Sequence, residues 1–541
     1  MKKPLKIRRY LLHFSSHSIP QVFTDTLVLG TGVAGMRAAL AASQGGSALL
    51  VSKKSIQDGS TWEAQGGIAA AVGAEDSPES HLEDTRKAGC GLCDEASARI
   101  MTDEGPEVVE ELLEWGMDFD RDEDGELAYT QEGGHGRPRI LHAGGDATGA
   151  ELHRTLAEQV RRNDDINLFE DTFAIDLLSA ADACRGALAW NETHGLLMIR
   201  SKQTVLATGG CGRIFRETTN PDVVTGDGLA MAFRAGVELQ DVEFMQFHPT
   251  TLYIAGASRA LISEALRGEG GVLKNSEGER FMPRYHEQAE LAPRDTVSRS
   301  ILREMARTDH THVYLDARDM DPEWVQQRFP TIAGLCAEFD LDLTQDLIPV
   351  RPAAHYLLGG VAVDEMGRTN LPNLLACGEV ACTGVHGANR LGSNSLLEGL
   401  VFGRRAGRAA AQAVGEMNEA VPLHAIQGLP QESAYGRLNV KDVEDSLRSL
   451  MSRNMGVERC EGDLSEALDM ITFWCRYVMD KEFESPQGWR VQNMLTTARL
   501  CTMSARQRQE SRGVHYRTDH PETSPDWARH IVVSNTGDEW L

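Results

Sequence analysis

The sequence predicts an α/β fold: a doubly wound dinucleotide-binding domain, an inserted α+β segment, and a helical bundle at the C-terminal end. Three observations predict it. A glycine-rich GTGVAG turn at 30–35 stands between a short apolar strand and an Ala-rich helix. Two more strand-to-glycine junctions recur far downstream, TGG at 208–210 and CGE at 377–379. Beyond Val440 the apolar residues fall at helical spacing.

The first element is a buried strand at 26–29, followed by the turn, a helix at 36–42 and a second strand at 48–51. Strand, glycine turn, helix and strand in that order form the context a dinucleotide fingerprint requires. Gly30 suits the tight turn, Gly32 lets backbone approach a pyrophosphate, and Gly35 lets the helix pack close. The helix N-terminus then supplies N–H donors and its positive dipole end to the phosphate. The second strand ends in Ser52-Lys53-Lys54 instead of the acid that commonly takes a ribose hydroxyl. Lys53 is expected to hold ribose or phosphate oxygens in its place. Strands at 204–207 and 374–376 lead into the later glycine junctions, so one nucleotide domain is expected to be interrupted by a long insertion.

Between about 250 and 355 the texture changes to glycine-rich loops, polar turns and short helical stretches, the inserted segment. Farther on, Val440, Val443, Leu447, Leu450 and Met451 share one helical face, and Leu464, Leu468, Ile471, Cys475 and Val478 share another. The stretch after Ser511 is polar and expected to be irregular. Residues 1–22 are basic and read as a loose extension: 10–14 is too short an apolar run for a signal peptide.

Composition bounds the function. The 541 residues are 41% hydrophobic and 25% charged, an ordinary globular balance, and the formal charge is −26. Such a surface disfavours nucleic acid and anionic membranes, so an anionic ligand needs a local basic cluster. No run approaches the roughly 20 apolar residues of a bilayer span. The ten cysteines are scattered, and the single CxxC at Cys90 and Cys93 lacks a second pair for zinc. Asp120, Asp122, Asp124 and Gly125 imitate half of a calcium loop, but its twelfth position is Gln131, so a solvated acidic turn is expected and no metal.

The basic cluster is sought beside the glycine loops. His248 lies in FMQFHPT, Arg294 in ELAPRDTVSR, His355 in PAAHYLLGGV and Arg390 in HGANRLGSNSLLEG. Two Arg forks and two imidazoles suit a small dicarboxylate.

These segments, with STWEAQGGIAAAV, EGGHGRPRILHAGGDATG, EALRGEG and GEVACTGVHGANRLGSNSLLEGLVFG, carry a resemblance. From about residue 23 to 520 the chain resembles the succinate dehydrogenase/fumarate reductase flavoprotein family. The resemblance implies a doubly wound FAD-binding domain (23–250 and 356–415), a capping domain (251–355), a C-terminal helical domain (425–520) and a tail (521–541). It implies FAD contacts at Gly30, Thr31, Gly32, Val33, Ala34, Gly35, Lys53, Ser60, Thr61, Trp62, Glu63, Ala64, Gln65, Gly66, Gly67, Asp227, Glu379, Ser395 and Leu396, with Glu379 on a ribityl hydroxyl. Members that bond the flavin covalently carry a His where this chain has Ser60, so the FAD is expected to be non-covalent.

Glu132, in QEGGHGRPRILHA, resembles the segment of those members that oxidise an amino acid, and a carboxylate there gives a substrate ammonium a partner. The implied activity is oxidation of L-aspartate to iminoaspartate, with O2 or fumarate reoxidising the flavin, as the first step of de novo NAD biosynthesis via quinolinate. By the same resemblance His248, His355 and Arg390 hold the carboxylates, helped by Ser263 and Glu264. Arg294 is the proton donor or acceptor, with Glu264 and Arg267 relaying to it. A cytoplasmic enzyme is expected, a monomer or weak homodimer, with quinolinate synthase as its functional partner. The alternative within the family is a fumarate reductase-type subunit working with an iron–sulfur partner. A calcium-binding scaffold is the alternative outside it.

Overall fold

A computed structural model describes residues 8–256, 259–417, 424–429 and 438–535. A seven-stranded sheet organises the chain, in the order Ile166–Phe169, Ala48–Val51, Gln21–Leu29, Gly195–Leu206, Ala183–Asn191 and Thr172–Ala180, with Leu374–Ala376 also pairing onto Gly195–Leu206. The first four and Leu374–Ala376 run parallel; the rest is an antiparallel meander. Register matters most here. Leu29 lies opposite both Val51 and Leu206, and Leu206 opposite Ala376. All the glycine junctions read from the sequence therefore leave the same carboxyl edge, where open α/β sheets bind ligands.

Both faces of the sheet are covered, as parallel strands require. Leu27, Leu29, Leu49 and Val51 belong to one core with Phe233, Met494 and Leu495. Val28, Leu50, Val205 and Leu375 point the other way, into a core with Ala38, Met101, Leu152 and Leu400. Each such buried aliphatic side chain contributes about 1.5–3 kcal/mol. The fingerprint helix Val33–Ala42 packs along Asn394–Glu416 with small residues in the contact. A Cβ on Gly407 would fall 2.3 Å from Ala38 O.

The inserted segment builds a four-stranded antiparallel sheet, Met245–Leu252, Ile348–Leu357, Val313–Asp316 and Val272–Lys274, with the helix Arg294–Arg307 against it. Its core is separate, around Leu266, Phe281, Ile301, Leu315 and Ile348.

The C-terminal segment holds three long helices: Val440–Asn454, Glu461–Val478 and Pro486–Gln507. The first two have the apolar faces expected of them. The third gave no periodic signal because it is buried all round, including Gln492, Asn493, Thr496, Thr497 and Thr502. It is bonded to the nucleotide domain: Asn493 donates to Asp227 Oδ1 at 2.7 Å and Thr497 to Gly226 O at 3.1 Å.

The N-terminal stretch differs from the loose extension expected. Phe14–Ser15 pairs with Gln427–Gly428, and Leu11 and Phe14 are buried beside Phe173 and Trp489. Leu11 N donates to the buried Asp176 carboxylate at 2.7 Å. The apolar run at 10–14 is a packing patch, too short to register as an element from sequence. Residues 1–7, 257–258 and 536–541, which belong to the expected extension, cap and tail, lie outside the described residues.

Candidate functional site

The carboxyl edge of the sheet and the inserted segment enclose one cavity of about 880 Å³. Gly30, Thr31, Gly32, Val33 and Ala34, Lys53, residues 60–67, Asp227, Glu379, Ser395 and Leu396 line it, and so do Glu132, His248, Ser263, Glu264, Arg294, His355 and Arg390. Of the expected site residues, Gly35, beneath Gly30, and the relay residue Arg267, behind Glu264, stand back from the wall.

Two of the three fingerprint glycines are forced by the protein itself. Gly30 has φ +115°, and a Cβ there would meet Ala207 O at 2.1 Å; a Cβ on Gly35 would meet Gly30 O at 1.9 Å. Gly32 is different. Its φ is −70°, and its Cβ would approach nothing nearer than Thr61 Oγ1 at 3.3 Å. The need for glycine there points into the cavity. The Val33–Ala42 helix has no acidic first turn, and its Val33 N–H donates to Thr61 Oγ1 at 3.0 Å. The N–H groups of Ala34 and Gly35 are among those a helix start cannot pair internally.

Polar atoms along the same wall fit an FAD. Ser60 Oγ, Gln65 Oε1 and Thr208 Oγ1 are buried without a hydrogen-bond partner, a state that costs about 1–3 kcal/mol each unless a ligand satisfies it. Glu379 Oε1 accepts from Leu357 N at 2.9 Å, and burial pushes this carboxyl up to about 7, so it can also donate to a hydroxyl.

Lys53 departs from expectation. Its ammonium donates to Val223 O, Thr225 Oγ1 and Asp227 Oδ2 at 3.1, 2.8 and 2.8 Å, which uses all three protons. Lys53 therefore fixes the 223–227 wall instead of presenting a free charge to phosphate. Asp227 is likewise engaged on both oxygens, by Lys53, Thr225 and Asn493. These partners lie some 170 and 266 positions away in sequence, beyond the reach of local reading.

At the other end of the cavity the charged residues converge. Arg294 opens the helix Arg294–Arg307, where a cation opposes the dipole and weakens the helix, yet adds to an anion-attracting end. Its Nε donates to Glu264 Oε2 at 2.5 Å, while Nη1 is buried without a partner. Glu264 follows Ser263, whose hydroxyl caps the short helix by accepting from Ala265 N at 3.3 Å and keeps its own proton to donate. Burial alone would raise the Glu264 carboxyl, but Arg294 and Arg267 outweigh it and hold it below the ordinary value. Glu132 is pushed up, by burial and then by Glu264.

The imidazoles are held in pairs. His248 Nδ1 lies 3.1 Å from Thr250 O and His355 Nδ1 lies 2.9 Å from Thr219 Oγ1, with ring centroids 5.2 Å apart. Burial, then Arg294 for the first and Arg390 for the second, drives both well below the usual histidine range, so both rings are neutral at pH 7. Arg390 stacks over the Tyr356 ring at 4.6 Å and donates to Ser395 Oγ at 3.1 Å; its Nε is buried without a partner. Burial, then Arg294, lowers it to about 10.

Several wall residues went unread in the sequence. Thr219 orients His355, Tyr356 backs Arg390, and Ser393 donates to Glu132 Oε2 at 2.9 Å. Tyr356 is itself fixed by Glu398 at 2.8 Å, which also binds Thr383 and His386. The acidic turn that imitates a calcium loop is tied by its own carboxylate, with Asp122 Oδ1 accepting from Asp124 N and Glu126 N. Among the described residues no three His, Cys, Asp or Glu cluster as metal ligands, and no helix is long and apolar enough to cross a membrane.

Known proteins resemble this chain in sequence and fold. An FAD binding domain family model matches residues 25–396, and a fumarate reductase flavoprotein C-terminal model matches 444–540. The L-aspartate oxidase of Streptomyces coelicolor is 44% identical, covering 96% of this chain and 93% of that protein. L-aspartate oxidase 1 of Ralstonia nicotianae is 42% identical, covering 93% and 96%. Among solved structures, an E. coli quinol fumarate reductase superposes with a TM-score of 0.88 at 31% identity, covering 95% of this chain and 94% of that one. A Mycobacterium smegmatis Sdh1 complex with UQ1 gives 0.82 at 33%, with the same coverage.

Proposed function

This chain belongs to the succinate dehydrogenase/fumarate reductase flavoprotein family, among its L-aspartate oxidases, and we accordingly propose that it oxidises L-aspartate to iminoaspartate. It uses FAD, with O2 or fumarate as the final acceptor. The observation that carries this reading is Glu132, a buried carboxylate beside the anion-binding residues that, unlike Glu264 next to it, forms no ion pair with an arginine among the described residues. Arg390, Arg294 and the His248–His355 pair suit two carboxylates; Glu132 suits an ammonium between them.

Bound FAD supplies the two-electron oxidant. Every other requirement falls to the chain. Arg390, braced on Tyr356 and Ser395, presents a rigid fork to one carboxylate. His248 and His355, neutral and held at Nδ1, turn Nε2 to the carboxylates, with the Ser263 hydroxyl as a further donor. Holding both carboxylates fixes the carbon that reacts. Glu132 pairs with the ammonium and, being more basic than an ordinary carboxylate, can take the proton that nitrogen must lose. Arg294 stands at the reacting carbon as proton donor when fumarate is reduced, and Glu264, bonded to it, with Arg267 3.5 Å beyond, supplies the proton back.

The FAD is read as non-covalent, since Ser60 offers no ring nitrogen to bond it. We assign the FAD domain to 23–250 and 356–415, the cap to 251–355 and the helical domain to 425–520. The product feeds quinolinate synthase in NAD biosynthesis, in the cytoplasm, from a monomer or weak homodimer. The −26 charge supports the absence of nucleic acid and anionic membrane partners. Purified FAD-loaded protein is expected to release hydrogen peroxide with L-aspartate in air and to consume fumarate without air. Activity with succinate and a dye, and none with L-aspartate, would assign it instead to the fumarate reductases.

A further inference from the structure

Ser393 is a non-glycine residue with φ +60° and ψ 1°, in the left-handed region, and is 7% exposed. Serine is uncommon there, and such strain persists only where its surroundings impose it. The surroundings here are identifiable. On one side His135 Nε2 lies 3.0 Å from Gly392 O, and His135 Nδ1 is held 3.2 Å from Arg139, itself ion-paired with Asp76 and Asp84. On the other, Asn394 is fixed by His81 at 2.8 Å and donates to Thr85 at 3.0 Å. The peptide is thus anchored on both sides of Ser393. Its result is that the Ser393 hydroxyl donates to Glu132 Oε2 at 2.9 Å.

Gly392 marks the same point from the other side. A Cβ there would lie 2.6 Å from Glu132 Oε2, 3.3 Å from Arg294 Nη2 and 3.7 Å from Glu264 Oε2. The 392–393 backbone thus runs against the junction of the proposed ammonium partner and the proposed proton donor. Among the described residues Ser393 is the one hydrogen-bond donor to the Glu132 carboxylate. The charged groups that face Glu132 are Glu264, Arg267, Arg294 and Arg390, from three different segments. Without the hydroxyl, Glu132 Oε2 would be free to rotate toward Arg294 and close a direct ion pair, which would remove it from the substrate.

We propose that Ser393 is a positioning residue for substrate choice: its strained backbone aims the hydroxyl at Glu132, holds that carboxylate off Arg294, and so keeps it available to a substrate ammonium. The inference rests on the reading of Glu132 as the ammonium partner. It deepens that reading by naming the residue that separates an amino dicarboxylate from a plain one through another side chain.

The test uses the FAD-loaded full chain with Ser393→Ala, Ser393→Gly and Glu132→Gln, each measured with L-aspartate and with fumarate. Ser393→Ala is expected to lower the ratio of kcat/KM for L-aspartate to that for fumarate about tenfold, the size of one hydrogen bond to a charged group, chiefly through KM. The acid limb of the L-aspartate pH profile should move up, because the lost donor had favoured ionised Glu132. Ser393→Gly removes the hydroxyl and the strain together, so it should show the same loss of ratio with a melting temperature equal to or above that of the parent. A purely structural Ser393 would instead lower stability in Ala and restore everything in Gly, and that result overturns the proposal. If Glu132→Gln leaves the ratio unchanged, the underlying reading of Glu132 fails; if Glu132→Gln collapses the ratio and both Ser393 variants keep it, the proposal alone fails.

Discussion

Glu132→Gln removes one charge and almost no volume, from a side chain that is 3% exposed. Water therefore does not replace the lost carboxylate. A unit pair about 4 Å apart at an effective dielectric near 20 is worth ~4 kcal/mol. The Gln carbonyl still accepts a hydrogen bond from an ammonium, so about half of that is lost. A loss of about 2–3 kcal/mol corresponds to a fall of roughly 30–150-fold in kcat/KM for L-aspartate. Fumarate has no ammonium, and for it the sign reverses. Deleting a negative group beside Glu264 leaves Arg267, Arg294 and Arg390 less neutralised, so the KM for fumarate is expected to fall or hold. The assay is steady-state peroxide release with L-aspartate, paired with anaerobic fumarate reduction, on protein whose bound flavin is checked by absorbance. A fall below about threefold with L-aspartate, or equal falls for both substrates, would refute the charge-recognition reasoning.

Other outcomes follow from the same geometry. Arg390→Lys keeps the charge but loses the fork stacked on Tyr356, and kcat/KM for L-aspartate should drop about 10–100-fold with flavin content intact; a change within twofold contradicts it. Gly30→Ala drives a Cβ to 2.1 Å from Ala207 O at a positive φ, so the melting temperature should fall by several degrees, about 3 kcal/mol or more, and flavin should be lost; a parent-like melt refutes it. Burial lowers His81, His135 and His142 to about 3, 4 and 3, while the unfolded chain protonates near 6.5. Their contribution is complete above pH 6.5 and is lost as pH falls toward 4, at about 1.4 kcal/mol per pH unit for each ring. Urea midpoints at pH 7 and 5 should differ accordingly, and a flat profile contradicts it.

The parts of the site legible in the sequence are those whose chemistry is local. Glycine before a helix, Lys where an acid is usual, and the motif residues from Glu132 to Arg390 are all readable along the chain, and they fall on one cavity because Leu29, Val51, Leu206 and Ala376 end in register. What stayed hidden depends on distant partners. Ser393 and Glu132 are 261 positions apart and Thr219 and His355 are 136 apart. Ser393 carried no signal of its own, since a serine before a helix reads as a cap; its left-handed backbone shows only in the fold. Lys53 was legible as a cation but not as one already spent on Asp227. The helix Pro486–Gln507 escaped because full burial erases the alternation that periodicity detects, and 10–14 because five residues are too few to show one.

Rapid anaerobic mixing of the FAD-loaded protein with L-aspartate, read as loss of the oxidised flavin absorbance near 450 nm, tests the central claim most directly, since it isolates the oxidation from the final acceptor. The account predicts rapid, complete bleaching with L-aspartate, much slower bleaching with succinate at the same concentration, and recovery of colour on adding fumarate. Bleaching by succinate at a rate equal to or above that by L-aspartate would contradict it.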